Sequence, residues 1–411
     1  MVTMSDWTLA FGTWEKYGVR TIFERFKEAG MKRVYWRVFD GGQANYHSKI
    51  ADIGSCYACE KSYYTDAMKW SRERIEQDGH VSFKSWDPLK DAVAYARKSG
   101  MEIYAWWPVN EDDHAWGVLS RFAKENPQFL RCYRNGEKFR SNLSWAYKES
   151  VDYKLALLRE FMAYGLDGVL LDFPREGDVR DIHIDEAGYC LEGYEPPIRK
   201  SFQDKYCLDP LKIPNSHPDW IRHRADYSTR FISTLRKELK RIAPKAKMGL
   251  HFEGAGNHRW ALKDTGKGTY QNIWRFMQKG PDYLLNGKLL DLKAIADQGA
   301  VDFLCPQHRF IRAPKAGTFN NNAFKWMRDF QRIIKEQLKL TRKIAGAKMP
   351  LHLYTPVYQK ITRGSLGKNA KAAFQGGVED MLLWEVTPLM SQSRTAPWKI
   401  IAELNEKYDK R

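Results

Sequence analysis

Eight short apolar runs alternate with longer amphipathic stretches along 411 residues, and this order predicts an α/β protein, a closed parallel (β/α)8 TIM barrel. The runs are nearly continuous in apolar residues, as strands buried on both faces must be. The chain is also longer than the ~250 residues a barrel needs, and the surplus falls after strand C-termini. The rival is an open, doubly wound sheet with a glycine-rich phosphate loop after its first strand. Here Gly12–Gly18 follows the first run and lacks that spacing.

The expected strands are Trp7–Phe11, Arg33–Phe39, Glu102–Trp107, Gly168–Asp172, Lys247–Phe252, Val301–Pro306, Pro350–Thr355 and Asp380–Glu385. Helical periodicity fills the gaps at Val19–Ala29, Pro88–Ser99, Val151–Tyr164, Trp220–Ile242, Leu289–Gln298, Ala323–Ile344 and Lys368–Phe374, and an eighth helix follows at Pro397–Tyr408. Glycine stands where a helix C-cap is expected at Gly30, Gly100, Gly165 and Gly299. Long loops are expected at 41–86, 108–150, 173–219 and 254–288, all on the C-terminal face where barrel active sites form. No linker marks a second domain, so one catalytic domain is expected over residues 1–411.

Composition narrows the function. Hydrophobic residues make up 43% and aromatic residues 14%, too apolar for a disordered chain. No apolar run approaches the ~18–20 residues of a membrane span. Residues Met1–Asp6 carry no basic stretch leading into an apolar core, so a cytoplasmic protein is expected, or a secreted or periplasmic one if a leader has been removed. Six cysteines make no disulfide scaffold, and Cys56 and Cys59 form a lone CxxC with no second pair. Lys and Arg exceed Asp and Glu by 67 − 50 = 17. They are scattered over helix-like segments with acids between them, and no nucleic-acid-binding motif appears. The excess reads as a solvated basic surface, with an anionic glycan as the functional alternative.

Chemistry should sit at strand C-termini. In Gly168–Asp172, period two puts Gly168, Leu170 and Asp172 on one face and leaves Val169 and Leu171 for the helices. Asp172 thus points inward at the rim, where a carboxylate is costly without a partner or a task. In the next strand, Gly249, His251 and Glu253 share the inward face. Neighbouring strands lie ~4.8 Å apart, so the two carboxylates are expected to pair as glycoside hydrolysis requires, one ionised and one protonated. Tyr35, Arg37 and Phe39 alternate inward, so Arg37 would hold Asp172 ionised or grip a substrate anion. The remaining rim candidates for sugar binding are Trp107, Asp112, His114, Glu176, Gln307, Tyr354 and Trp384, while Glu385 is a third candidate acid.

The run Tyr153–Arg175 resembles the glycosyl-hydrolase-like TIM-barrel proteins, whose fourth strand typically reads Asp-Gly, apolar residues, Asp, an aromatic and an Arg. Asp167, Gly168, Asp172, Phe173 and Arg175 match that pattern, and Phe122–Phe129 upstream is similar too. A more distant likeness is to the alpha-amylase clan of retaining hydrolases. There a nucleophilic Asp ends the fourth strand and an acid Glu the fifth, the positions of Asp172 and Glu253. The clan's Arg two residues before the nucleophile is replaced by Leu170, and no clear third Asp follows the seventh strand.

The expectation is a glycoside hydrolase acting on an oligo- or polysaccharide, possibly anionic, in a retaining mechanism. Asp172 is the expected nucleophile and Glu253 the acid/base, with no cofactor, no metal and no membrane or nucleic-acid partner. Rival pairings join Asp172 or Glu176 to Glu385. Rivals of another class are a carbohydrate-binding barrel without catalysis, and a metal-dependent barrel enzyme using His251, Glu253 and His352.

Overall fold

A computed structural model of the chain describes residues 1, 16–40, 42–54, 83–84, 86–112, 119–172, 185, 187–253, 282–307, 323–356, 363–384 and 395–408. Seven parallel strands make one sheet in chain order. They are β1 (Arg33–Arg37), β2 (Glu102–Pro108), β3 (Gly168–Asp172), β4 (Lys247–Glu253), β5 (Phe303–Gln307), β6 (His352–Pro356) and β7 (Asp380–Trp384). They match the second to eighth expected runs, whereas the first, Trp7–Phe11, lies outside the described residues.

The outer layer is helical: α1 (Lys16–Glu28), α2 (Pro88–Ser99), α3 (Arg121–Glu125), α4 (Lys148–Met162), α5 (Pro196–Tyr206), α6 (Pro218–Ile242), α7 (Asp282–Lys288), α8 (Leu292–Asp297), α9 (Ala323–Ala345), α10 (Arg363–Gln375) and α11 (Thr395–Tyr408). Local chemistry explains the sharper ends. Asp87 caps α2 by accepting from Lys90 N, Pro88 opens the helix, and Gly100 closes it at φ 69°.

The sheet is curled so that its two edges face each other. An Arg33 Nη1 on β1 lies 3.3 Å from Asp380 Oδ2 on β7, and Tyr35 Oη lies 3.4 Å from His352 Nδ1 on β6. Outside this seam, Asn405 Nδ2 of α11 donates to Ala29 O just after α1 at 2.7 Å. Around the wall, outward residues such as Trp36, Ala105, Val169, Leu250 and Leu353 pack with the helix faces in one continuous core. Inward residues Tyr35, Tyr104, Trp106, Leu170, Phe303, Cys305, Tyr354 and Leu382 form a second core inside the curl.

Two glycines make the inner core possible. A Cβ on Gly249 would sit 2.1 Å from the Phe303 ring, and one on Gly168 would sit 2.4 Å from Lys247 O and 2.7 Å from the Tyr104 ring. Phe303 therefore occupies the space that β4 vacates. Its other face stacks on His352, with ring centroids 4.1 Å apart. Burial, then the Arg33 charge, pushes the His352 imidazole down to about 3, so it is neutral at physiological pH.

The longest connections follow the C-terminal ends of β1 to β4 and so share one end of the curl. They hold structure that periodicity did not anticipate: α3, α5 and a hairpin of Leu130–Cys132 with Lys138–Leu143.

Gly249→Ala should destabilise the fold by about 1–3 kcal/mol or more, because the new methyl overpacks against an aromatic ring. Urea unfolding measures the loss, and adding Phe303→Leu should return part of it. A neutral Gly249→Ala would contradict this packing account.

Candidate active site

The site is built on the C-terminal ends of β1 to β6. Asp172 is the last residue of β3 and only 1% exposed. Its flanking strands supply two donors. Trp106 on β2 donates its indole N–H to Asp172 Oδ2 at 2.5 Å. His251 on β4 makes a short hydrogen bond through Nδ1 to Oδ1. Strand register explains the second contact: Leu171 pairs with Leu250, so the next residues on both strands lie side by side.

Two further groups brace this pair. The Arg37 guanidinium lies 4.8 Å from the Trp106 ring centroid and faces it. It is held by Phe39 O at 3.3 Å and Glu111 Oε2 at 3.4 Å. The Tyr354 ring stacks on His251 at 4.4 Å and 19°.

Burial alone would push the Asp172 carboxyl up. The His251 ring and its hydrogen bond, then Arg37 and the Trp106 N–H, outweigh that, and the group is held below the ordinary carboxylate range. The site therefore holds an ionised carboxylate away from water at the barrel mouth. Such a group can act on a developing positive charge or attack an electrophilic carbon. Beside it on β5, burial and the nearby Asp172 charge push the Cys305 thiol well up, so it stays protonated.

The structure brings together Arg37, Asp172, His251 and Tyr354 of the expected residues, and adds Trp106 and Glu111. Glu253 lies two residues beyond the level of Asp172 on the neighbouring strand, its Cα paired with that of Gln307. With ~3.3 Å per residue and ~4.8 Å between strands, the Cα atoms of Asp172 and Glu253 sit about 8 Å apart. His251, rather than Glu253, is thus the direct neighbour of Asp172. Gln307 is half-buried, and its carbonyl accepts from Gln337 Nε2 at 2.8 Å.

Two expected rim residues lie elsewhere. Trp107 is fully buried on the helix side, edge-on to Phe161 of α4 at 5.1 Å. It shares the strand parity of Ile103 and Ala105, both in the outer core, whereas Trp106 shares that of the inward Tyr104. Asp112 is sealed beneath the surface. Lys154 Nζ of α4 donates to its Oδ2 at 2.8 Å with both side chains 0% exposed, and its carbonyl accepts from Ser120 N at 2.7 Å. This ion pair anchors the loop rather than facing a sugar.

His114, Glu176 and Glu385 lie outside the described residues, as do Arg175, Cys56 and Cys59 and the side chains of Glu253 and Trp384. Of the metal-binding trio, His352 sits a layer below His251, against Phe303. Among the described residues, no group of three or more His, Cys, Asp or Glu is arranged to hold a metal.

A family model for glycosyl hydrolase-like 10 proteins matches residues 5–351. The chain belongs to that family. A search of curated proteins found no match to the sequence. Among solved structures, the glycosyl hydrolase-like 10 chain is similar to the catalytic domain of a beta-amylase from Paenibacillus polymyxa, with TM-score 0.59, 10% identity, and coverage of 100% of this chain and 97% of that one. It is similar to an endo-1,4-beta-mannanase from Rhizomucor miehei, with TM-score 0.55, 12% identity, and coverage of 100% and 94%. A beta-galactosidase from the psychrophilic Marinomonas ef1 gives TM-score 0.58 at 10% identity, covering 96% of this chain and 58% of its own. These likenesses establish the TIM-barrel fold. Among the described residues, no helix is long and apolar enough to cross a membrane.

The electrostatics give a signed prediction. A carboxyl whose folded pKa is depressed stabilises the fold above its unfolded pKa near ~3.9, and that stability is lost as pH falls through the folded value. Asp172→Asn should lower the unfolding free energy at pH 7 by about 1–3 kcal/mol, the worth of charge-assisted hydrogen bonds. Denaturant titrations at falling pH should show the gap between the two proteins closing below about pH 4. A gap that widens on acidification would mean Asp172 is not held ionised.

Proposed function

We propose that this chain is a glycoside hydrolase, with Asp172 as the nucleophile and Glu253 as the general acid/base. The observation that carries the reading is Asp172 itself, buried at the barrel mouth with one donor on each oxygen and its pKa depressed. A glycosidase needs such a carboxylate beside the anomeric carbon, where it attacks or stabilises an oxocarbenium-like transition state. Membership of a glycosyl hydrolase-like family supports the same chemistry.

Glu253 supports the second role by position. It ends the strand next to Asp172, beyond His251 on the inward parity. Two carboxyl side chains on Cα atoms about 8 Å apart can close to the ~5–5.5 Å of a retaining enzyme or open to the ~6.5–9.5 Å of an inverting one. We favour retention, with Asp172 forming the glycosyl-enzyme bond and Glu253 protonating the leaving oxygen, then activating water.

Substrate charge is the finer question. Arg37, the expected grip for a substrate anion, is matched by Glu111 and by the Asp172 charge. That balance favours a neutral ring beside Asp172. Turnover should then change little between about 0.05 and 0.5 M salt, whereas an anionic substrate would lose rate as its attraction is screened.

A panel of aryl glycosides and polysaccharides, anionic ones included, tests the reading, with product anomers followed by proton NMR. Asp172→Asn should cut turnover by more than about 10³-fold while sugar binding and folding persist. Glu253→Gln should cost about 10²–10⁴-fold on poor leaving groups and little on activated aryl glycosides, which need no proton. An unimpaired Glu253→Gln would move the acid role to Glu385. Sugar binding without turnover on any substrate would leave a carbohydrate-binding barrel.

A further inference from the structure

We propose that Trp106 is the positioning residue of this site: its indole N–H fixes the ionised Asp172 carboxylate, and Arg37 fixes the indole through its ring face. The inference deepens the proposed role of Asp172, and only its kinetic arm depends on that role.

The geometry has three parts. The indole N–H reaches Oδ2 at 2.5 Å while His251 holds Oδ1, so the carboxylate is gripped from the strands on both sides and its plane is set. Next, the Arg37 guanidinium lies 4.8 Å from the ring centroid, over its face. A cation there draws on the π-electrons and makes the N–H a stronger donor. Glu111 and Phe39 O in turn hold the guanidinium. Finally, Trp106 is 1% exposed and one ring face is covered by Arg37, so its ring is not a platform for a sugar. A tryptophan at a glycosidase rim is ordinarily read as such a platform. Here it acts on the substrate only through Asp172.

Among the described residues, the groups around Asp172 include Arg37 from β1, Trp106 from β2, His251 from β4, and Cys305 from β5, with Tyr354 of β6 behind His251 and Glu253 two residues further along β4. Arg37 acts on the carboxylate as a charge and His251 through its hydrogen bond. Trp106 cannot carry a charge and can only donate, so its removal isolates a hydrogen bond.

Trp106→Phe keeps a flat ring under Arg37 and deletes the N–H. The full chain is labelled with ¹³C at the Asp carboxyl, and the Asp172 signal is assigned by its disappearance in Asp172→Asn. The expected result is a rise in the Asp172 titration midpoint of about one pH unit in Trp106→Phe. A tryptophan that only fills space would lower the melting temperature and leave that midpoint where it was, and this result would overturn the inference.

If Trp106→Phe does not fold, the indole ¹⁵N–¹H spectra of the unmodified chain and of Asp172→Asn decide. One indole signal should move between them and move with acid in the unmodified chain alone, and no such signal overturns the inference. In the kinetic arm, the acid limb of kcat/KM should rise by the same pH shift. Absence of any glycosidase activity in the unmodified chain would refute the proposed function, and the NMR midpoint would still judge Trp106.

Discussion

The inside of a curled parallel sheet has room for few side chains, and what one strand gives up another fills. β4 has no side chain at Gly249, and the Phe303 ring of β5 lies in that space; β3 has none at Gly168, where Tyr104 and a β4 carbonyl close in. With Phe303 also stacked on His352, the lower half of the curl is an aromatic plug. The next inward residues on β3 and β4 after that packing are Leu170, then Asp172, and His251. The polar pair is thus pushed to the mouth by the volume below it. Strand register, set by Leu171 against Leu250, then fixes which two residues meet.

A carboxylate out of water is costly, and the fold meets that cost with donors borne on strands rather than on loops. Trp106 and His251 sit on the immediate neighbours of β3, and their own positions are braced by Arg37 and Tyr354. The loop after β2 is anchored separately by the Lys154–Asp112 pair under α4, which lies between aromatic rings of Phe39 and Tyr153. Two buried carboxylates therefore have opposite tasks. Asp112 is matched by a full positive charge and ties a helix to a loop. Asp172 is held by hydrogen bonds and nearby partial or delocalised charge, which leaves its own charge directed at the mouth.

Much of this was legible in the residues. The bounds of Gly168–Asp172 agree in sequence and structure, because glycine before three branched or bulky apolar residues and a closing Asp admits one inward parity. The inward faces of Arg37 and His251 follow from the same rule. Period two within one strand says nothing about register between strands, so the sequence does not show that His251 is level with Asp172 and Glu253 two residues beyond. For Trp106 and Trp107 the parity argument was available: Tyr104 and Trp106 alternate with Ile103, Ala105 and Trp107, and the smaller outward neighbours mark the helix side. Lys154 carried a signal too. It lies on one helical face with Leu157, Leu158 and Phe161, and a lysine in an apolar stripe asks for a buried acid. The hairpin at Leu130–Leu143 was announced by Asn135-Gly136, a turn pair with Gly136 at φ 88°.

The seam between β1 and β7 bears on how the chain reaches this structure. The Arg33–Asp380 contact joins residues 347 positions apart, and Tyr35 meets His352 across 317. Contacts of such range come late in folding, because the entropy of closing the intervening loop is lost before any contact compensates it. While a ribosome is still making the last fifth of the chain, β1 has β2 beside it but lacks its contacts with β6 and β7. Arg33 at the head of β1 pairs with Glu102 of the neighbouring β2 as well as with Asp380, and only the first of these partners has been made by then. The clasp between β1 and β7 is thus among the last contacts the chain can make.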